Sequence, residues 1–217
     1  IAERRGLWLH VDACVGGILA PFVRDSGYAV PAFDFAIPGV SSISADLHKS
    51  GFAAKPASTV SFRTRELREF ARYTFDDWPS GVYSSLTFTG TRPGGAIAAA
   101  WAAMNFLGQE GYREIAAASM RAKQKTIDGL AAIEGVKVHG APPLYAFSWA
   151  ASGVDMGAVA GAMARRGFMC GQTTSPDFLW GLAWGSLATA DFLYANGEAV
   201  FVESLEGLSR GDRILAV

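Results

Sequence analysis

Apolar positions come in short runs over the first part of the chain and at helical spacing over the rest. Leu7-Trp8-Leu9-His10-Val11-Asp12, bounded by Gly6 and by Gly16-Gly17, predicts a short buried strand. Residues 18–40 hold Pro21, Pro31 and Pro38 and predict an irregular connection. Val40–Ala45 and Thr59–Arg63 predict two further strands that pair, with Lys49 in the loop between them. Thr64 is a candidate N-cap for a surface helix running to Phe70. Asp76–Gly95 is rich in glycine and hydroxyl residues and predicts a loop. Ala96–Leu107 predicts a helix apolar nearly all round, hence buried, and Gly108–Gly111 a break. Tyr112–Ile133 predicts an amphipathic helix with Arg121, Lys123 and Lys125 on its wet side.

Beyond Gly135 the grammar changes. Val136–Val138, Leu144–Ala150 and Phe178–Trp184 predict strands, and Met156–Arg166 and Thr189–Leu208 predict helices. This is an α+β pattern, a small sheet covered on one side by helices. A boundary near residue 108 divides the chain into 1–108 and 109–217.

Composition narrows the function classes. The chain has 217 residues, 50% hydrophobic and 18% charged, enough for one large domain or two small ones. A formal net charge of -1 gives no electrostatic case for nucleic acid or an acidic membrane surface. The longest apolar run, Ala96–Leu107, is interrupted by Asn105 and is too short to span a bilayer. Two cysteines, Cys14 and Cys170, make no disulfide framework, and with no signal peptide visible they predict a reducing, cytoplasmic setting. The start lacks an initiator Met and runs almost at once into a buried-looking strand, so a preceding stretch is expected to be missing.

The candidate chemistry centres on Ser44-Ala45-Asp46-Leu47-His48-Lys49. A lysine amine attacks a carbonyl once it loses its proton, and apolar flanks such as Ile43, Phe52, Ala53 and Ala54 favour that loss by desolvation. Taken alone, Lys49 reads first as an ordinary surface lysine at a strand end. His10-x-Asp12 and Asp46-x-His48 each pair an imidazole with a carboxylate and could in principle bind a metal. Neither has the spacing of a recognised zinc motif, and the metal reading leaves Lys49 idle. His139 reads as structural.

The alternative joins Asp12 and Lys49. Pyridoxal phosphate (PLP) needs a lysine to hold it, an acid at its pyridine nitrogen to keep the ring an electron sink, and donors for its phosphate. Asp12 at a strand end, where open α/β sheets bind ligands, Lys49 in a loop, and His48 and Thr91 as donors supply all three. The Gly90-Thr91 loop enters a helix N-terminus, a place suited to anions, although it also reads as a simple cap and turn.

A resemblance carries further weight. His10-Val11-Asp12-Ala13-Cys14 with Gly16-Gly17, then Phe33-Asp34-Phe35, then Gly39 through Lys49, closely resembles the group II PLP-dependent decarboxylase family. Within that family the text is most similar to the sphingosine-1-phosphate lyase branch. Cys14, the stretch Gly51–Lys55, Asp77-Trp78 with Gly81-Val82-Tyr83, and Gly90-Thr91-Arg92-Pro93-Gly94-Gly95 carry that similarity.

The resemblance implies an α/β chain of the PLP-dependent transferase fold type I, aspartate-aminotransferase-like. Residues 1–108 would be the C-terminal part of the PLP-binding large domain and 109–217 the C-terminal small domain. The family's earlier half, with its phosphate loop and ring-stacking histidine, has no counterpart here. Lys49 would form the Schiff base with PLP, Asp12 would pair with the pyridine nitrogen, and Cys14 would lie against the ring. His10 would hold the strand end, and His48 would contact the phosphate. Gly90 and Thr91 would reach the cofactor phosphate in the partner subunit of a homodimer with shared active sites. Lys55 and Tyr83 match positions near the active site, and Arg92 would meet an anionic group of the substrate or make a structural salt bridge.

The implied activity is a PLP-dependent carbon–carbon lyase acting on a small-molecule amine. It would cleave a phosphorylated long-chain base by a retro-aldol step to a fatty aldehyde and phosphoethanolamine. The alternatives are an amino-acid decarboxylase, which uses the same electron sink, and a non-catalytic dimerisation or scaffold fragment. Intact Asp12, His48 and Lys49 speak against the last.

Overall fold

The computed structural model describes residues 1–166, 171–172 and 179–182. Its elements in chain order are α1 (Ala2–Arg5), β1 (His10–Asp12), α2 (Ala20–Asp25), β2 (Ser42–Asp46), β3 (Ser58–Phe62), α3 (Arg65–Glu69), β4 (Tyr73–Phe75), β5 (Tyr83–Ser85), α4 (Gly94–Ala131), β6 (Val136–Val138), β7 (Ala146–Ala151), α5 (Met156–Arg165), β8 (Gly171–Gln172) and β9 (Leu179–Leu182). They fall into two compact units. The first takes Ile1–Ile18 and Pro31–Asn105; the second takes Leu19–Val30 and the chain from Phe106 on.

In the first unit β1 lies parallel to β2, with His10 opposite Ser42 and Asp12 opposite Ser44. β3 runs antiparallel on the other edge of β2, and its register puts Asp46 opposite Ser58. Strand geometry sends alternate side chains to alternate faces. His10 and Asp12 therefore share one face, beside Ser42 and Ser44. Ala53, Ala57 and Ala100 form a small buried cluster with Leu47 and Ala96 packed on it. Val40 and Phe52 are almost fully buried. Arg63 holds the entry to β2: its Nε donates to Val40 O at 2.6 Å and its Nη2 to Phe35 O at 3.0 Å. As expected, Thr64 caps α3 by accepting from the Leu67 amide at 3.2 Å.

In the second unit α2 buries Leu19, Ala20 and Val23 completely. Phe22 stacks on Tyr112 with ring centroids 5.1 Å apart. The four-stranded sheet has the order β6-β7-β9-β8, all antiparallel. Phe147 and Trp149 of β7 pack with Met156 of α5, and Ile127, Leu130, Val159 and Met163 close over them. Asp155 caps α5, accepting from the Gly157 and Ala158 amides.

Three local expectations are corrected. The stretch 18–40 is not irregular throughout, because α2 sits inside it. Pro21 stands in the first turn of that helix, where its missing N–H has no partner to lose. The break expected between the two long helices falls inside α4 at Gly108, whose φ of 57° and ψ of -173° glycine alone adopts freely. The first half of α4 is not buried all round. Ala100 faces the core, while Ile97 and Trp101 are 65% and 70% exposed. The cluster in this unit covers only the alanine side of the helix. β5 lies in the stretch expected to be loop and pairs with β4 just before it, both strands only three residues long. The helix expected over Thr189–Leu208 lies outside the described residues.

Phe147 is the large aromatic at the centre of the second unit's cluster. In the full-length protein Phe147→Ala is expected to cost this unit about 3 kcal/mol. Hydrogen exchange of the amides in β7 and α5 measures it, and unchanged protection there would refute the assignment of this core.

Candidate active site

The turn after β2 is built to present Lys49. The Lys49 amide donates to Asp46 O at 3.2 Å, Phe52 N to Lys49 O at 3.0 Å, and Ala53 N to Leu47 O at 2.9 Å. Gly51 makes this closure possible, since a Cβ there would stand 2.6 Å from Leu47 O and 2.7 Å from Leu47 Cα. Phe52 takes a φ of 58°, a conformation costly for a bulky residue, and its ring is held 1% exposed. Fully buried Ser50 donates its hydroxyl to Val15 O. Asp46 N donates to Cys14 O at 3.2 Å and Ala13 N to Ser44 O at 3.0 Å. Together these bonds tie the lysine turn to the segment that follows β1.

The result is a cluster of Lys49, Asp46, Cys14 and Asp12. Lys49 Nζ lies 2.9 Å from Asp46 Oδ2, and Asp46 is only 13% exposed. The Asp46 bond, and after it the Cys14 side chain, hold the Lys49 ammonium above its ordinary value of 10.5. Desolvation acts in the direction expected from the apolar flanks but is outweighed. For Asp46, burial alone would raise the carboxyl. Hydrogen bonds from Ser58 and Lys49 outweigh burial and bring it below its ordinary 3.8. The pair is therefore ionised across the neutral range. Its contribution to stability is lost as pH falls through the lowered Asp46 value, and again as pH rises through the raised Lys49 value.

Asp12 stands at the exposed C-terminal end of β1. Its Oδ1 accepts from the Cys14 amide at 3.1 Å and from Ser44 Oγ at 3.1 Å. The Cys14 backbone bond, then the Cys14 and Ser44 side chains, keep this carboxyl below the usual range, with a smaller contribution from the Lys49 charge. His10 contacts Ser42 and Ser44. The His48 ring is turned into its own loop, with Nδ1 2.8 Å from Ala57 O and Nε2 3.7 Å from Asp46 Oδ2. Lys55 precedes a cis proline, Pro56.

Tyr83 and Gly90 make their own local contacts. Tyr83 packs against Trp78 and Tyr73, with ring centroids 6.1 Å and 6.5 Å away. A Cβ at Gly90 would meet the Tyr83 hydroxyl at 2.9 Å. Gly90 has a φ of 67°, and its carbonyl accepts from Thr87 Oγ1 at 2.8 Å. Among the described residues, no hydrogen bond or ion pair joins Gly90, Thr91 or Arg92 to Lys49, Asp12 or His48.

A family model described as the pyridoxal-dependent decarboxylase conserved domain matches residues 1–139. The chain belongs to the pyridoxal-dependent decarboxylase family. Over 142 residues it is 44% identical to a sphingosine-1-phosphate lyase of Dictyostelium discoideum, a match covering 65% of this chain and 27% of that one. Over 120 residues it is 42% identical to a protein of Pyrococcus abyssi described as a probable L-aspartate decarboxylase, covering 55% of this chain and 31% of that one. The solved structure of a sphingosine-1-phosphate lyase from Burkholderia pseudomallei matches with a TM-score of 0.79 and 38% identity, over 85% of this chain and 42% of that chain. The chain thus spans less than half the length of each. The fold is PLP-dependent fold type I, and the cofactor of this family is pyridoxal 5'-phosphate. No helix among the described residues is long and apolar enough to cross a membrane.

The residues present fit the ring end of that cofactor. An ionised carboxylate held by two donors suits a protonated pyridine nitrogen. A lysine amine beside the same cysteine suits the aldehyde carbon. Sequence reasoning attached Asp46 only to the discarded metal reading and did not assign Ser44 or Ser58 a role. The signal for Asp46 was its spacing, i to i+3 from Lys49, which a turn converts into contact.

Gly51→Ala tests whether the turn is as tight as it looks. The new methyl meets Leu47 backbone rather than a movable side chain, so a loss of about 1–3 kcal/mol is expected, with lower cofactor content. Thermal melting and cofactor absorbance of the full-length protein read both. An alanine variant indistinguishable from the parent would show that the turn opens freely.

Proposed function

We propose that this chain is part of a PLP-dependent carbon–carbon lyase of the sphingosine-1-phosphate lyase type. The observation that carries the PLP-dependent part of the reading is the approach of Lys49, Cys14 and Asp12 to one another at the ends of β1 and β2. Similarity to sphingosine-1-phosphate lyases over most of the chain supports the choice of branch. Bound PLP supplies an electron sink that takes up the pair left when a bond to the substrate's α-carbon breaks.

The protein's own groups have separate tasks. Asp12 keeps the pyridine nitrogen protonated by presenting a fixed negative charge. Cys14 bridges the two ends of the site, its amide and thiol on Asp12 and its sulfur against Lys49. Lys49 would hold the cofactor, and Asp46 Oδ2, 2.9 Å from its Nζ, would position that side chain when it is not engaged. Gly90 and Thr91 would serve the cofactor phosphate of a second subunit in a homodimer. The substrate would be a phosphorylated long-chain base, and the products a fatty aldehyde and phosphoethanolamine. A second reading, an amino-acid decarboxylase, is favoured by the Pyrococcus relative.

Loading the full-length protein with PLP, reducing it with borohydride and mapping the label is expected to mark Lys49. Label on another lysine would sink the assignment. Asp12→Ala is expected to retain some cofactor while turnover drops about 100-fold or more; unchanged turnover would refute its role. Product analysis separates the two reactions, because a fatty aldehyde marks the lyase and released CO₂ the decarboxylase.

A further inference from the structure

The parallel pairing of β1 with β2 builds a row of polar groups on one face of the sheet. Trp8 Nε1 donates to Ser42 Oγ at 2.9 Å. Ser42 Oγ lies 2.8 Å from His10 Nδ1, and His10 Nε2 lies 3.3 Å from Ser44 Oγ. Ser44 Oγ lies 3.1 Å from Asp12 Oδ1. The register requires this order, since His10 faces Ser42 and Asp12 faces Ser44.

The direction of each bond follows from the number of protons available. An ionised carboxylate only accepts, so the Ser44 hydroxyl donates to Asp12. A serine carries one hydroxyl proton, and Ser44 has spent it. The contact between Ser44 and His10 is then a hydrogen bond only if His10 Nε2 carries a proton. Neutral His10 is therefore the Nε2–H tautomer, and its bare Nδ1 accepts from Ser42, whose oxygen in turn accepts from Trp8. Every donor in the row points toward Asp12. Protonation of His10 reverses only the Ser42 bond and leaves the two bonds nearest Asp12 as they are.

We propose that Ser44 and His10 are positioning residues for Asp12. Ser44 clamps Asp12 Oδ1, and His10 holds the Ser44 oxygen so that its proton stays on the carboxylate. The proposal rests on the reading that Asp12 faces the pyridine nitrogen, and it adds what aims and fixes that charge. Beyond His10 and Asp12, the ionisable groups nearest the row are Cys14, on the same carboxylate, and Lys49, whose charge acts on Asp12 from the neighbouring turn.

The test uses the full-length protein and reads PLP affinity by absorbance titration between pH 6 and pH 9. Ser44→Ala is expected to weaken PLP binding about tenfold, the effect of losing a hydrogen bond to a charged group. Ser44→Thr keeps the hydroxyl and is expected to bind within about twofold of the parent. His10→Leu is expected to cost about as much as Ser44→Ala and to add little in the double variant, because the two act through one bond. Full parental affinity of Ser44→Ala would overturn the proposal, as would failure of Ser44→Thr to rescue, or additive costs of the two changes. Asp12→Asn separates this from the underlying reading. Weak binding there with parental binding in Ser44→Ala sinks the positioning role alone. Parental binding in Asp12→Asn sinks the role of Asp12 and the proposal with it.

Discussion

The register of β1 on β2 is the constraint on which the candidate site depends. A parallel pair has evenly spaced, slanted hydrogen bonds and no hairpin to fix its alignment. Here the alignment is held from outside the pair. Leu9 O accepts from Ser41 N at 2.8 Å before the strands begin, and Ala13 N donates to Ser44 O at 3.0 Å as they end. A slip of one residue would send Asp12 to the opposite face from Ser44 and carry Cys14 away from Lys49. The buried Ser50 hydroxyl on Val15 O gives the same alignment a third tie, beyond the strands. The two segments that carry the chemistry are thus locked by main-chain bonds, and their side chains inherit positions rather than having to find them.

A lysine that must attack a carbonyl is held here in its unreactive form. Desolvation favours the amine, yet Asp46 at 2.9 Å favours the ammonium and wins. The two facts fit together if Lys49 alternates between two partners. Asp46 would hold it while the amine is free, and a cofactor paired with Asp12 would draw it away. The same carboxylate accepts from Ser58. It therefore stays ionised and partnered when the lysine leaves, which lowers the cost of the exchange.

Much of this was legible in the sequence, for physical reasons that differ by element. β1 announced itself by an apolar run between glycines, β3 by alternation, and Thr64 by the residue type a helix N-cap needs. Lys49 and Asp12 were singled out because the chemistry of one cofactor requires both. The β4–β5 hairpin was not legible, since strands of three residues are too short for an alternating pattern to show. α2 was hidden by Pro21, which reads as a breaker yet sits where a helix tolerates it. The exposure of Ile97 and Trp101 was missed because an apolar helix predicts burial without saying which surface provides it. Asp46 and Ser44 were missed as site residues because their partners depend on a turn and on a strand register, neither of which periodicity encodes.

The cluster is compatible with the different printed reactions of relatives that are 44% and 42% identical to this chain over their matched stretches. What Asp12, Cys14 and Lys49 can set is the strength and accessibility of the electron sink. Which bond breaks depends on how the substrate's α-carbon is turned relative to the plane of the ring, since only a bond perpendicular to that plane overlaps with it. Groups that grip the far end of the substrate decide that angle. A carboxylate–cysteine–lysine cradle is thus neutral between retro-aldol cleavage and loss of CO₂.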